Sequence, residues 1–308
     1  GSADFYRGET ARLIVEEMRR GAGIITAEDL AGYRPVWRAP LRANWRDQEV
    51  LAAPPPSSGG FAVLQLLKLK DALAPAFKGL PHNSAQYIHL TAEMEKRVFA
   101  DRAEYLGDPD FVPQRIGELL ADEYIGRRAL DVNIGSISPA TGVMPGLEGH
   151  DTTHFSIVDR DGNAVAVSYT LNTDFGSGVV VGGGGFLLNN EMDDFSAKPG
   201  VANYYGVTGA EANAIAPGKR MLSSMSPTIL VKDGEVSLVV GSPGGATIIT
   251  SVYQAIVNVL DFGMTAEQAV AATRFHHQLL PEDLVTYSVT RPLPGDVIRA
   301  LGSRGYRA

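Results

Sequence analysis

Residues 151–158 read DTTHFSIV, and this stretch decides how the rest of the chain is interpreted. Apolar Phe155 and Ile157 alternate with polar Ser156, which is the pattern of a β-strand. A turn-forming DRDGN segment at 159–163 then leads into a second alternating run. The pattern predicts a β-hairpin with a threonine pair at its head. Taken alone, a threonine here fits a strand simply because its β-carbon is branched.

The composition is that of a globular protein able to bury a core. The chain has 308 residues, 44% of them apolar and 20% charged, enough for one large domain or two smaller ones. A net charge of −8 without a basic cluster argues against a nucleic-acid partner. The absence of cysteine excludes disulfides, thiolate metal sites and a cysteine nucleophile. None of the six histidines has a metal-ligand spacing, so we expect no metal and no cofactor.

The sequence shows neither a membrane-spanning run nor a signal peptide at its N-terminus. No apolar run approaches the length that spans a bilayer. The N-terminus shows no signal peptide and enters helical periodicity at once. Both ends are abrupt, so we expect a piece of a longer protein.

Hydrophobic periodicity predicts an α+β sandwich in which helices cover sheets. Helices are predicted at 9–20, 61–72, 84–105, 114–130, 246–261 and 265–273, with a capped short helix after TAED at 26–29. Strands are predicted within 34–52, with Trp37 and Trp45 on them, and at 153–159, 164–172, 185–189, 227–232 and 236–241. Residues 133–150, rich in Gly, Ser, Pro and Thr, are typical of an exposed, flexible loop.

Several other stretches carry candidate chemistry. GSPGGA at 241–246 leaves a strand and enters a helix, so its backbone N–H groups could stabilise an oxyanion, although the glycines also fit a tight turn. NNEMDDFS at 189–196 places three carboxylates within four residues, which also fits a solvated turn. LSSMSP at 222–227 and YTLN at 169–172 add hydroxyl and amide groups. PPPSSGG at 54–60 fits a rigid linker, or an anion site at the head of the next helix.

The order of these motifs is more specific than any one of them. TTHFS, DGNAVAVSYTLN, LLNNEMDDFS, LSSMSPT, GSPGG and RFHHQ follow one another as in the γ-glutamyltransferase (glutathione hydrolase) family of N-terminal-nucleophile hydrolases, which the chain closely resembles. ITAEDLAGY, PPPSSGG and ADRAEYLGDPDF extend the resemblance over nearly all 308 residues. The resemblance implies a four-layer αββα sandwich.

The resemblance also implies how the protein matures. The family precursor cuts itself before a threonine, here at the Asp151–Thr152 bond, and the new N-terminal threonine becomes the nucleophile. Residues 1–151 would then be the mostly helical C-terminal part of the large subunit, packed on the sandwich. Residues 152–308 would be the small, catalytic subunit, truncated at its C-terminus. The two would form one intertwined domain and a heterodimer, in the periplasm or outside the cell.

Residue roles follow from the same resemblance, position by position. Thr152 would be the nucleophile and, through its free α-amino group, the base, since that amine has a pKa of roughly 7.7–8.0. By the same resemblance, Thr170 would hydrogen-bond the nucleophile, and Gly244 and Gly245 would form the oxyanion hole. Asn172, Glu191 and Asp194 would hold the α-ammonium of the substrate. Ser223 and Ser224 would bind its α-carboxylate, and Tyr205 would belong to a lid. The implied substrates are glutathione and other γ-glutamyl compounds, with water, an amino acid or a peptide as acceptor.

Two departures from the family pattern keep alternatives open. Glu191 stands where relatives often have Gln, and no counterpart of the family's carboxylate-binding arginine is recognisable. A cephalosporin or glutaryl acylase on the same scaffold is one alternative. It is disfavoured because a substrate without an amino acid head group would leave Asp194 and the serine pair unpaired. An uncleaved, inactive scaffold or binding protein is the other.

Overall fold

A computed structural model describes residues 1–139, 152–201, 203–204 and 206–308. The described chain divides into two compact units. The smaller unit comprises residues 1–39 and 170–191, and the larger comprises 40–169 and 192–308, apart from the residues not described. Each unit draws on both sides of the 151/152 boundary, and the division into subunits stays a prediction.

The smaller unit consists of three short helices and a long loop. The helices are α1 Ser2–Arg7, α2 Glu9–Arg20 and α3 Ala27–Gly32. Thr26 is the predicted cap, and with Asp29 it forms a capping box: Thr26 Oγ1 accepts from Asp29 N at 3.2 Å, and Asp29 Oδ2 accepts from Thr26 N at 2.8 Å. Glu17 of α2 accepts the Gly182 N–H at 3.2 Å, which holds the loop against the helix.

The larger unit contains the sheet and the remaining helices. Its helices are α4 Gly59–Ala72, α5 Ala74–Phe77, α6 Ala85–Tyr105, α7 Ile116–Leu119, α8 Asp122–Leu130, α9 Thr247–Leu260, α10 Ala266–Ala271 and α11 Gly295–Ser303. Its strands are β1 Leu41–Trp45, β2 Gln48–Ala52, β3 Thr153–Val158, β4 Ala164–Tyr169, β5 Thr228–Lys232, β6 Glu235–Val240, β7 Phe275–His276 and β8 Thr286–Tyr287. Two 3₁₀ turns cover Glu191–Asp194 and Glu211–Asn213.

The main sheet is antiparallel with strand order β1-β2-β5-β6, and the predicted hairpin β3–β4 packs beside it. Ser156 Oγ of β3 donates to Val239 O of β6 at 3.2 Å. Residues 59–67 of helix α4 are all buried, and the helix lies at the centre of the core with α6 and α9. The α+β class predicted from the sequence is confirmed.

Three predicted elements were wrong. Residues 34–40 form no strand, because prolines at 35 and 40 cannot donate to a ladder, and Trp37 is fully exposed rather than part of a sheet. The single helix expected at 114–130 is two helices separated by an extended Ala121. At 185–189 the structure has only an isolated Val180–Leu187 bridge. Of the predicted loop 133–150, residues 140–150 lie outside the described chain.

The described part of the chain contains no helix that is both long and apolar enough to cross a bilayer.

Candidate active site

Thr152 stands directly before β3 in the larger unit and is half-buried. The hairpin register ends with Thr153 opposite Tyr169, so Thr152 and Thr170 are the residues that directly continue its two strands. Asp151, the other residue of the predicted cleavage bond, lies outside the described residues, as does the predicted lid residue Tyr205.

The ring of His154 ties β3 to the loop that leaves β6. Its Nδ1 lies 2.8 Å from Ser168 Oγ, and its Nε2 lies 3.1 Å from Ser156 Oγ. A Cβ at Gly241 would lie 2.1 Å from the same ring, so only glycine lets the backbone pass so close. Burial lowers the pKa of His154, which favours the neutral ring. The strand that follows Thr152 is thereby fixed against the segment leading to the glycine pair.

Gly244 and Gly245 form the turn between β6 and α9. Both are buried, with φ of +129° and +53°, a backbone that suits glycine. Their carbonyls accept the first helical N–H groups, from Thr247 N at 2.9 Å and Ile248 N at 3.2 Å. Neither glycine N–H donates to any group in the described ranges. Two N–H groups at the head of α9 are therefore available to an acceptor from outside the chain.

Ser223 and Ser224 sit side by side with their hydroxyl oxygens already accepting. Ser223 Oγ accepts the Met225 N–H at 3.0 Å, and Ser224 Oγ accepts from Arg102 Nη2 at 3.1 Å. A hydroxyl whose oxygen accepts a strong bond keeps its proton free to donate. Both side chains are half-buried. The pair is thus set up as two adjacent donors, which suits a carboxylate.

The PPPSSGG segment supports this serine turn. Ser58 donates to Ser223 O from both its N and its Oγ, each at 2.8 Å, and Ser57 Oγ donates to Met225 O at 2.6 Å. A Cβ at Gly59 would lie 2.5 Å from Met225 O, so the two segments approach as closely as glycine allows. The sequence predicted a rigid linker or an anion site at residues 54–60, and it did not predict that they would hold the serine turn.

Asp194 ends the acidic 3₁₀ turn and is half-buried. Burial raises the pKa of its carboxyl to about 7, while the charge of Arg102 lowers it and that of Asp193 raises it further. Asn203 Nδ2 donates to Asp194 Oδ1 at 3.4 Å. The carboxyl is therefore in an environment that disfavours its charged form until a cation approaches.

Asn213, buried, connects the acidic turn with the serine turn. Its Nδ2 donates to Asp194 O at 2.7 Å, and its Oδ1 accepts the Leu222 N–H at 3.0 Å. Asp194 and the serine pair are therefore brought together in one part of the larger unit, through Asn213 and Arg102. Sequence reasoning missed both of these residues.

The remaining predicted residues belong to the smaller unit. Asn172 is buried with φ of +77°, which asparagine tolerates, and its N–H donates to Thr170 Oγ1 at 2.8 Å. Its Nδ2 donates to Asn190 O at 3.2 Å. The Glu191 N–H donates to Asn189 Oδ1 at 3.0 Å. In the ranges that the structure describes, no three His, Asp or Glu side chains are grouped to hold a metal ion.

The mixed helix-and-sheet fold, with a threonine directly before the β3–β4 hairpin, belongs to the N-terminal-nucleophile hydrolase fold class. The profile of the Gamma-glutamyltranspeptidase family matches residues 1–308, and the chain belongs to this family.

The relatives agree with this assignment. The chain is 58% identical over 306 residues to a glutathione hydrolase proenzyme of Pseudomonas aeruginosa, covering 99% of the chain and 55% of the relative. It is 47% identical over 311 residues to a glutathione hydrolase proenzyme of Escherichia coli, covering 100% of the chain and 53% of the relative. A solved structure of cephalosporin acylase from Bacillus halodurans is 28% identical with a TM-score of 0.79, over 99% of this chain and 52% of that one. The chain thus spans about half the length of these relatives.

Proposed function

We propose that the complete protein cleaves γ-glutamyl amides such as glutathione and transfers the γ-glutamyl group to water, an amino acid or a peptide. One observation carries the proposal: in the larger unit, Asn213 bonds both the main chain of Asp194 and the N–H of Leu222, the residue directly before the Ser223–Ser224 pair. A carboxyl beside two hydroxyl donors complements an ammonium and a carboxylate on one carbon, the head group of a γ-glutamyl substrate. The similarity to glutathione hydrolase proenzymes supports this substrate class.

Cleavage of the Asp151–Thr152 bond starts the chemistry by freeing the Thr152 α-amino group. A free α-amino group ordinarily has a pKa of roughly 7.7–8.0, so this amine can accept the proton of the Thr152 hydroxyl. The oxygen attacks the γ-carbonyl carbon, and the Gly244 and Gly245 N–H groups stabilise the oxyanion. The C–N bond then breaks, and the threonine ammonium returns the proton to the departing amine. A γ-glutamyl ester remains on Thr152.

The acceptor completes the cycle by the same route. The amine of Thr152 takes a proton from water or from an acceptor amine, which attacks the ester carbonyl. The ester bond breaks, and the proton returns to the Thr152 oxygen. No metal and no cofactor are needed for either step.

The other assigned residues complete the proposal. Thr170 orients the nucleophile, Asn172 and Glu191 extend the ammonium pocket, and Tyr205 belongs to a lid. The fragments produced by cleavage stay together as a heterodimer in the periplasm or outside the cell. Family resemblance supports these assignments, and cell fractionation tests the location.

An acylase for substrates without the α-amino group is the second candidate, because the fold matches that of a cephalosporin acylase. Such a substrate would leave Asp194 without a cationic partner in a half-buried pocket, which is unfavourable.

Three p-nitroanilides separate the candidates. The γ-glutamyl compound has both head groups, the glutaryl compound lacks the ammonium, and the 4-aminobutyryl compound lacks the carboxylate. We expect the full-length protein to prefer the γ-glutamyl compound in kcat/KM by about 10- to 100-fold over each of the others, since each loses a charged hydrogen bond. Equal turnover of the γ-glutamyl and glutaryl compounds would instead support the acylase.

A further inference from the structure

We propose that Arg102 is a positioning residue for the α-carboxylate of the substrate: it holds the Ser224 hydroxyl as a donor and places a fixed positive charge behind the serine pair. This inference rests on the proposed function. It concerns an arginine of the described chain that acts through Ser224 and does not touch the substrate.

The contacts of Arg102 are all to neutral acceptors. The residue lies on α6 and is 4% exposed. Its Nε donates to Ser58 Oγ at 2.8 Å, and its Nη2 donates to Ser224 Oγ at 3.1 Å and to Leu222 O at 3.5 Å. Within the described ranges its guanidinium forms no ion pair. A buried cation that forms no direct ion pair is costly, so an anion bound at the serine pair would offset part of that cost.

The same guanidinium orders both serines. The bond to Ser224 Oγ occupies the oxygen and leaves its proton to donate. The bond to Ser58 Oγ orients that hydroxyl, which in turn donates to Ser223 O at 2.8 Å. Replacing the Arg102 guanidinium would therefore free the Ser224 hydroxyl to rotate and weaken the hydrogen bonds that hold the serine turn.

The charge of Arg102 also acts on the ammonium end of the pocket. Two charged groups act on the Asp194 carboxyl: Arg102 of α6 lowers its pKa, and Asp193 of the same 3₁₀ turn raises it. Burial lowers the pKa of Arg102 to about 10, so the side chain remains charged at neutral pH. The buried Arg102 cation thus orients a serine hydroxyl that donates to the substrate carboxylate. It also favours the ionised form of Asp194, which pairs with the substrate ammonium.

Replacing Arg102 tests this role in the full-length, matured protein. In Arg102→Met, we expect KM for γ-glutamyl-p-nitroanilide to rise about 10- to 100-fold, with kcat changed far less. The preference for this substrate over 4-aminobutyryl-p-nitroanilide should fall, because the second compound has no carboxylate to lose contact with. The acid limb of the pH profile of kcat/KM should move to higher pH, because the pKa of Asp194 rises when the nearby Arg102 charge is removed.

Two further variants separate positioning from general stability. Arg102→Lys keeps the positive charge but lacks the several N–H donors of the guanidinium. The acid limb of the pH profile should therefore stay near its wild-type pH, while KM for the γ-glutamyl compound still rises. Arg128→Met is the matched control, because Arg128 contacts Asp101 and the Arg97 carbonyl and makes no contact with the serine turn. It should lower thermal stability and leave KM and the substrate preference unchanged.

The outcomes distinguish this inference from the proposed function. If the wild-type protein prefers the γ-glutamyl compound and Arg102→Met and Arg102→Lys both keep that preference, the role of Arg102 is overturned and the proposed function stands. If the wild-type protein releases no p-nitroaniline from any of the three compounds, the proposed function fails and this inference fails with it.

Discussion

Replacing Asp194 by asparagine should reduce activity by a factor that depends on pH in a predictable way. With a pKa of about 7, the carboxyl is about half ionised at pH 7 and about nine-tenths ionised at pH 8 before substrate binds. Only the ionised form offers a charged partner to the α-ammonium. A charged hydrogen bond contributes roughly 1.5–3 kcal/mol, so above pH 8 Asp194→Asn should lower kcat/KM about 10- to 100-fold.

Below pH 7 the deficit should shrink about tenfold per pH unit, because the wild-type carboxyl becomes protonated and then resembles the amide. The assay is kcat/KM for γ-glutamyl-p-nitroanilide from pH 5.5 to 9, expressed as the ratio of wild type to variant. The free amine of Thr152 titrates in both proteins and therefore cancels in this ratio. A ratio that stays constant across the range, or equals one at pH 8, would refute the reasoning.

Asp193→Asn is the matched control for this experiment. Asp193 Oδ2 accepts the Tyr204 N–H at 2.8 Å, a bond that an asparagine oxygen can keep. Its negative charge raises the pKa of Asp194, so its removal should move the acid limb to lower pH and leave activity at pH 8 nearly unchanged. Asp194→Asn should still mature normally, because autocleavage involves no substrate.

Three more outcomes follow from the same contacts. The pKa of Asp194 in the folded state is raised from its ordinary 3.8 to about 7, so the wild type loses stability as pH rises through this window. Asp194→Asn should therefore melt at a higher temperature than the wild type at pH 8, with a smaller difference at pH 4. Asn213→Ala leaves a buried N–H and C=O unsatisfied, at about 1–3 kcal/mol each, and should lower the melting temperature and raise KM, whereas the buried control Asn258→Ala should lower only the melting temperature. Gly244→Ala should lower kcat by about 10²–10³, whereas Gly234→Ala, at φ of +85° in an open turn, should reduce stability alone, as kinetics and melting curves would reveal.

The sequence predicted several regular elements close to their observed bounds. Helix 84–105 is found as Ala85–Tyr105, and the predicted hairpin is found with strands Thr153–Val158 and Ala164–Tyr169. The failures arose where proline or tertiary packing overrides periodicity. Residues 34–40 contain the strand-forming residues Val36 and Trp37, but the prolines at 35 and 40 prevent pairing with a neighbouring strand.

Part of the candidate site could also have been found from the sequence, and part could not. Met94 and Val98 mark a buried stripe of α6 at a spacing of four residues, and Arg102 occupies its next position. A charge at such a position is a signal for a buried partner. Asn213 gives no such signal, because its role depends on two turns that meet only in the folded chain.

The central claim is that Thr152 becomes an N-terminal nucleophile, and N-terminal sequencing of the purified full-length protein tests it most directly. We expect a fragment that begins Thr-Thr-His-Phe, produced without added protease, and a single uncleaved chain for Thr152→Ala. Efficient cleavage of the Thr152→Ala variant at the same bond, or a wild-type protein that stays one chain while releasing p-nitroaniline from the γ-glutamyl substrate, would contradict it.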